Sequence, residues 1–153
     1  MKRRILLVDD DVAVLLTLKA VLELHDFTVE TAASAAEAVH KLTSGVYQMV
    51  ITDAHMENEN AGFEVMRAAR RQAYHPATAL LTAFPPHNGS WKLDGTSSLL
   101  VKPVGTEDLL RQIEALLILR EDAHQQDEKL LPFAHTPGKH SAGLNREGRK
   151  KVS

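Results

Sequence analysis

The stretch Ile5-Leu6-Leu7-Val8-Asp9-Asp10 is a short run of branched apolar residues that ends abruptly in two carboxylates. A second stretch, Met49-Val50-Ile51-Thr52-Asp53, ends in a carboxylate in the same way. A continuous apolar run bounded by polar residues is typical of a strand that is buried on both faces of a sheet. If these two strands lie side by side and parallel, their three terminal aspartates meet at one edge of the sheet.

Three carboxylates held close together repel one another and raise each other's pKa. A hard divalent cation relieves this repulsion, and Mg²⁺ prefers carboxylate and water oxygens as ligands. Two later predicted strands end in Thr82 and Lys102, which add a hydroxyl and an ammonium group to the same edge. Four strand ends therefore bring an acidic cluster, a hydroxyl and a cation together, and such a set of groups can bind and transfer a phosphoryl group.

Strands and helices alternate through about the first 120 residues. Asp11 is placed to cap a first helix that runs to about Leu24, with an apolar stripe at Val12, Leu15, Leu16, Leu18, Val21 and Leu22. Ser34 and Glu37 form a capping box for a second helix. Such alternation predicts an α/β fold in which helices cover both faces of a parallel sheet, with ligands at the carboxyl ends of the strands.

The second half of the domain shows weaker signals. Residues 54–62 form a polar loop that ends in Gly62, and a third helix with apolar marks from Phe63 to Ala73 is expected to follow it. Between the fourth and fifth strands, residues 85–98 contain several helix breakers, so the fourth helix is predicted to be irregular or shortened. Thr106 is the expected cap of the last helix, whose predicted buried stripe is Leu109, Leu110, Ile113, Leu116 and Leu117.

The composition limits the class of protein. The chain has 153 residues, 44% of them hydrophobic, a formal net charge of −2 and no cysteine. A disulfide framework and a thiolate metal site are therefore excluded, and a cytoplasmic location is expected. The aspartates from Asp9 onward cut the N-terminal apolar run too short for a signal peptide, and no run approaches the roughly 18 apolar residues of a membrane span.

The chain changes character near residue 120. Residues 1–120 carry the alternating pattern and form the predicted domain. Residues 121–131 are charged and can prolong the last helix, whereas residues 132–153 are rich in proline, glycine and basic residues. That composition buries too little apolar surface to offset the entropy lost on ordering, so residues 121–153 are predicted to be a charged helix extension and a disordered basic tail.

Four short motifs in order resemble those of the receiver domain of two-component response regulators. They are Val8-Asp9-Asp10, Asp53 with Met56, Leu81-Thr82-Ala83 and Val101-Lys102-Pro103, and the match covers about residues 3–120. Each motif is weak by itself, but four in order at compatible spacing are highly specific. The resemblance implies a doubly wound, flavodoxin-like sheet of five parallel strands in the order 2-1-3-4-5, as in stand-alone receivers of the chemotaxis-regulator type.

The resemblance also implies a role for each site residue. Asp53 is the expected phosphoacceptor, and Mg²⁺ is the expected cofactor. Asp10 and Asp53 would bind the ion directly with the main-chain carbonyl of His55, and Asp9 would act largely through water. Thr82 would hydrogen-bond a phosphoryl oxygen, and Lys102 would pair with the phosphoryl group.

Several positions depart from the family pattern. Glu57 stands where a proline usually follows the methionine, and Gly62 lies one position later than the usual glycine. Leu99 stands where an aromatic residue usually acts as a rotamer switch. Leu99, Glu57 and the irregular fourth helix keep open a pseudo-receiver, an interaction module that retains the fold without phosphotransfer. A Mg²⁺-dependent phosphatase of similar fold is disfavoured because nothing in the sequence looks like a substrate-covering cap.

The sequence therefore predicts a stand-alone receiver that is a switch and not an enzyme in the turnover sense. A sensor histidine kinase or a phosphotransfer protein is the expected phosphoryl donor. An unidentified downstream protein is the expected receiver of the signal. A linked DNA-binding domain is not expected, because residues 121–153 are few and polar. A membrane contact is not expected either, because no apolar run is long enough to span a bilayer.

Overall fold

The computed structural model describes residues 2–83, 98–102 and 105–125. Five parallel strands form one sheet in the order β2-β1-β3-β4-β5, which confirms the predicted doubly wound α/β fold. In chain order the elements are β1 (Arg4–Val8), α1 (Val12–Leu24), β2 (Thr28–Ala32), α2 (Ala35–Ser44), β3 (Met49–Asp53), α3 (Ala61–Arg70), β4 (Ala77–Thr82), β5 (Leu99–Val101) and α4 (106–125).

The register of the strands brings their carboxyl ends to one edge. Val8 of β1 lies beside Thr52 of β3, so Asp9 and Asp53 leave the sheet at the same level. On the other side of β3, Asp53 pairs with Leu81 of β4. Thr82 in turn pairs with Val101, the residue before Lys102. The two apolar runs predicted to organise the fold are therefore neighbouring central strands.

The pleat of each strand divides the core between the two faces of the sheet. Ile5 and Leu7 of β1 point to a face that is covered by Leu15 and Leu22 of α1 and by apolar residues of α4. Alternate residues of the same strand point to the opposite face, where α2 and α3 pack with many alanines. Because both faces are covered, the central strands read as continuous apolar runs.

Two of the predicted helix starts are formed as expected. The side chain of Asp11 accepts hydrogen bonds from the main-chain amides of Ala13 and Val14, at 3.0 and 3.4 Å. Ser34 accepts from the amide of Glu37 at 3.1 Å. The Glu37 carboxylate, however, accepts from the Ala33 amide and not from Ser34. Side-chain oxygens thus accept hydrogen bonds from main-chain amides that have no partner within the helix.

Three details of the helices differ from the predictions. Val12 and Leu16 are 60% and 63% exposed, because α1 buries only the narrow stripe that faces the sheet. The third helix begins at Ala61 and ends at Arg70, so Gly62 lies in its first turn rather than in the loop, and Ala73 is exposed beyond its end. The last helix begins with Thr106, and the carbonyl of Gly105 accepts its first hydrogen bond from Leu109, which makes Gly105 the cap.

Other predictions fall outside the described residues. The irregular or shortened fourth helix was predicted within residues 85–98, of which only Ser98 is described. The basic tail also lies beyond residue 125, the last that is described. Met1–Ile118 form one compact unit, which holds the whole sheet. Of the second unit, Leu119–Ser153, the described residues 119–125 are helical.

Candidate functional site

Three carboxylates lie together at the carboxyl edge of the sheet. Each of Asp9, Asp10 and Asp53 offers one oxygen, and these oxygens all lie within 4.8 Å of one another. Asp9 and Asp10 directly follow β1, and Asp53 is the last residue of β3. The cluster therefore results from the adjacency of two strands that are separated by more than 40 residues of sequence.

Lys102 reaches this cluster from the far side of β4. Its Nζ lies 3.0 Å from Oδ2 of Asp9 and 3.6 Å from Oδ1 of Asp53. Burial lowers the pKa of Lys102, but its hydrogen bond to Asp9 and the charges of Asp53 and Asp9 raise it above the ordinary value. The lysine is therefore a fixed cation at neutral pH. The sequence predicted that Lys102 serves a phosphoryl group, and that role stays a prediction. The structure shows that this lysine contacts two of the aspartates.

Asp53 occupies a crowded position in the cluster. It is only 8% exposed, and burial, followed by the negative charge of Asp9, raises the pKa of its carboxyl group. The charge of Lys102 and hydrogen bonds from the main chain of His55 and Ala54 lower that pKa in part. The net direction is upward, so the ionised form of Asp53 is held at a cost that an additional cation would relieve.

Asp9 is the best-anchored carboxylate of the three. It is 1% exposed, and its Oδ1 accepts a hydrogen bond from the main-chain amide of Asp11 at 3.0 Å. Its Oδ2 accepts from Lys102 at 3.0 Å. Asp10, by contrast, is exposed to solvent. The site therefore has a buried, doubly held carboxylate beside one that is open to solvent.

Thr82 and His55 flank the cluster. Thr82 is the last residue of β4, is 1% exposed and lies one position beyond Leu81, the register partner of Asp53. Its carbonyl accepts a hydrogen bond from the amide of Lys102 at 2.8 Å, which fixes the two strand ends against each other. His55 is exposed and lies two positions after Asp53 in the loop between β3 and α3.

The donor set fits Mg²⁺. All three side chains of the cluster offer hard oxygen ligands, and an exposed Asp10 leaves room for water in the coordination shell. Three carboxylates face one ammonium group, so the described part of the site carries excess negative charge. Burial is the main cause of the raised pKa of Asp53, and the negative charge of Asp9 adds to it. A divalent cation would balance this charge.

Two residues that shape the site were not predicted to do so. Gly62 packs so closely against β3 that a Cβ there would lie 2.3 Å from the Asp53 carbonyl oxygen. Glu57 accepts a hydrogen bond from the amide of Ala35, at the start of α2. Both contacts join residues of different structural elements. The only sequence signal was that both residues depart from the family pattern.

Comparison with known proteins identifies the family. Residues 5–114 match the response regulator receiver domain. The chain is 33% identical over 115 residues to the transcriptional regulatory protein CpxR homolog of Haemophilus influenzae, covering 74% of this chain and 50% of that one. It is 26% identical over 145 residues to the transcriptional regulatory protein ResD of Bacillus subtilis, covering 91% of this chain and 60% of that one. The chain thus spans about half the length of these curated relatives.

Solved structures lead to the same family. A CheY-like receiver domain protein from Methanospirillum hungatei is 28% identical with a TM-score of 0.74, covering 80% of this chain and 99% of that one. The response regulator TrrA of Thermotoga maritima, solved in complex with Mg²⁺ and BeF, is 29% identical with a TM-score of 0.65, covering 74% and 98%.

None of the helices in the described residues is long and apolar enough to span a bilayer. The matched residues 5–114 hold all five strands of the sheet and every residue of the acidic site. The four sequence motifs lie at the carboxyl ends of β1, β3, β4 and β5. This chain therefore belongs to the response regulator receiver domain family of two-component signal transduction.

Proposed function

We propose that this chain accepts a phosphoryl group on Asp53 from a phosphohistidine of a sensor histidine kinase or a phosphotransfer protein. Receiver domains in general are signalling modules that histidine kinases phosphorylate, rather than classical enzymes. The observation that carries the proposal is the position of Asp53. One of its carboxylate oxygens lies within 4.8 Å of oxygens of Asp9 and Asp10, and its Oδ1 lies 3.6 Å from Nζ of Lys102.

The chemistry requires Asp53 to be ionised, because a carboxylate oxygen must attack phosphorus. The new O–P bond forms as the P–N bond of the donor phosphohistidine breaks, and the departing imidazole takes a proton from solvent. Lys102 helps to keep Asp53 anionic and provides positive charge near the oxygens of the transferred group. The product is an acyl phosphate on Asp53.

Receiver domains bind Mg²⁺ at their acidic cluster. We propose that Asp10, Asp53 and the main-chain carbonyl of His55 hold the ion here, and that Asp9 acts largely through water. When bound, Mg²⁺ supplies charge that neutralises phosphoryl oxygens and carboxylates. Asp9 keeps its position through the Asp11 amide and Lys102, so it orients the lysine as well.

Thr82 and Lys102 are proposed to bind the phosphoryl group once it is on Asp53. Thr82 follows the register partner of Asp53, and Lys102 already lies 3.6 Å from Oδ1 of Asp53. If Lys102 exchanged its hydrogen bond to Asp9 for one to the phosphoryl group, its side chain would move. Because Lys102 directly follows β5, phosphorylation would then change the conformation at the end of that strand. Such local changes in charge are the usual trigger of a conformational switch.

The second candidate is a pseudo-receiver, and Leu99 is the observation that favours it. Leu99 is partly buried and packs against a cluster of Ala54, Met66 and Leu80. A leucine there lacks the hydroxyl and the flat ring of the usual aromatic switch, so the output step differs from that of the family. The acceptor chemistry does not depend on this side chain, and for that reason phosphotransfer remains the first candidate.

Phosphoryl acceptance can be tested directly on the full chain. Incubation with Mg²⁺ and acetyl phosphate is expected to add the mass of one phosphoryl group, and borohydride reduction followed by peptide mapping is expected to locate it at Asp53. EDTA should abolish the reaction. Absence of any modification, with acetyl phosphate and with phosphohistidine donors, would support the pseudo-receiver instead.

For the output, we propose that a separate downstream protein binds the phosphorylated domain of residues 1–120. The support is compositional: residues 121–153 are rich in charged residues, proline and glycine, as expected for a charged extension and not for a DNA-binding domain.

A further inference from the structure

The loop that follows the acceptor strand is tied to a neighbouring helix. We use the term acceptor loop for residues 54–60, which connect β3 to α3. In the middle of this loop, Oε2 of Glu57 accepts a hydrogen bond of 3.0 Å from the main-chain amide of Ala35. Ala35 is the first residue of α2, and it lies 22 positions earlier in the chain.

This contact has a clear electrostatic basis. The first amides of a helix have no partner within the helix, and the helix dipole makes this end positive. Ser34 supplies its hydroxyl oxygen to the amide of Glu37. Glu57 supplies a carboxylate oxygen to the amide of Ala35. A carboxylate at this position is therefore attracted by the charge of the helix end as well as by the hydrogen bond.

The tether holds the part of the loop that is nearest to the acceptor. His55 lies between Asp53 and Glu57, and its main chain hydrogen-bonds the Asp53 carboxylate. Met56 packs partly buried against the alanine-rich cluster of α2 and α3. The loop is thus fixed by packing at Met56 and by a charged hydrogen bond at Glu57. His55 directly precedes these two anchored residues in the chain, so its main chain is held in place by them.

We propose that Glu57 is a positioning residue that ties the acceptor loop to α2 and thereby holds the His55 main chain in place to bind Mg²⁺. The inference rests on the proposed function, because it assigns Mg²⁺ to Asp10, Asp53 and the His55 carbonyl. Glu57 itself touches neither the ion nor the phosphoryl group. A proline would restrict this part of the loop through its own ring, whereas Glu57 restricts it through a side-chain contact.

Mg²⁺ titration of the full chain by calorimetry tests the proposal. Glu57→Ala is expected to weaken Mg²⁺ affinity about three- to tenfold, at the low end of what the loss of outer-shell partners costs. Glu57→Gln keeps an acceptor oxygen and should stay within about twofold of the parent protein. Glu59→Ala removes the same charge from another exposed position of the same loop. It should also stay within about twofold, because it leaves the hydrogen bond between Ala35 and Glu57 in place.

The partner side of the contact offers a second test. Ala35→Pro removes the amide that Glu57 binds, and proline is well tolerated at the first position of a helix. The preceding residue, Ser34, already has the extended conformation (φ −154°, ψ 163°) that proline requires of its predecessor. Ala35→Pro should therefore weaken Mg²⁺ affinity as Glu57→Ala does, and the double variant should show no additional loss.

The possible results separate the two levels of inference. If the parent protein binds no Mg²⁺, the proposed function is overturned and this inference with it. If the parent protein binds Mg²⁺ and Glu57→Ala binds it equally well, only the role of Glu57 is overturned. The role is also overturned if Glu57→Ala lowers the melting temperature in EDTA but leaves Mg²⁺ affinity unchanged, or if Glu59→Ala weakens binding as much as Glu57→Ala.

Discussion

Asp53→Asn is expected to abolish phosphoryl acceptance and, in the absence of metal, to stabilise the fold. An amide oxygen is too weak a nucleophile to attack phosphorus, so labelling by acetyl phosphate should fall to background. The stability change has a different cause. Burial, followed by the charge of Asp9, raises the pKa of Asp53, which means that the folded state holds its ionised form against the cost of desolvation and against repulsion. Asparagine keeps the shape of the side chain and removes that charge.

The sign of the pH dependence follows from this shift. The pKa of this carboxyl group is higher in the folded state than in the unfolded state, so its protonated form stabilises the fold. That contribution is lost as the pH rises through the folded pKa. The advantage of Asp53→Asn should therefore be present at pH 7. It should vanish as the pH falls below the ordinary aspartate pKa of about 3.9.

Thermal unfolding in EDTA at several pH values, beside intact-mass detection of phosphorylation, measures both effects on one protein. Glu59→Gln is the matched control, because it neutralises a carboxylate at an exposed position outside the cluster. This control should be phosphorylated normally and should show little change in melting temperature. Phosphorylation that persists in Asp53→Asn would place the acceptor elsewhere and contradict the assignment.

The fold could be predicted because its signals are local. The apolar runs at residues 5–8 and 49–52 and the short run at 99–101 correspond closely to β1, β3 and β5. A carboxylate or a cation stands at the end of each of these strands. Once the strands are parallel neighbours, Asp9, Asp10 and Asp53 must meet. The acidic cluster could thus be predicted from the sequence on the condition that these two strands are parallel neighbours, an arrangement that the family resemblance implied.

Other parts of the site depend on tertiary contacts that leave no periodic signal. The pairing of Lys102 with Asp9, which is shorter than its contact with Asp53, depends on how a long side chain crosses the end of β4. The hydrogen bond from Ala35 to Glu57 depends on where α2 lies relative to the acceptor loop. The exposed Val12 and Leu16 show a similar effect, since only the orientation of α1 decides which apolar residues face the sheet.

Gly62 shows how a tertiary contact can reverse a local preference. Alanine is favoured over glycine within a helix by about 1 kcal/mol, so helix propensity alone predicts that Gly62→Ala stabilises α3. The contact with β3 predicts the opposite. A Cβ at position 62 would lie 2.3 Å from the carbonyl oxygen of Asp53 and 2.7 Å from Cα of Ala54. Both atoms belong to the backbone of the central strand and its continuation, so neither can move aside by a change of rotamer.

Gly62→Ala is therefore expected to lower the free energy of unfolding by about 1–3 kcal/mol or more, the usual cost of overpacking a well-packed interior. Urea unfolding measures this change. Gly105→Ala is the matched control, because a Cβ there meets no atom within 4 Å, and its effect should stay below about 1 kcal/mol in either direction. A Gly62→Ala variant as stable as the parent protein would contradict the prediction.

The same substitution should also weaken the metal site. Relief of the clash requires α3 to move away from β3 or the Asp53–Ala54 backbone to shift, and the amide of Gly62 at present donates to the Ala54 carbonyl at 3.2 Å. Either movement displaces the start of the acceptor loop. Mg²⁺ affinity should consequently fall in Gly62→Ala and remain unchanged in Gly105→Ala. An unchanged affinity in the destabilised Gly62→Ala protein would show that the strain is absorbed by α3 alone and does not reach Asp53.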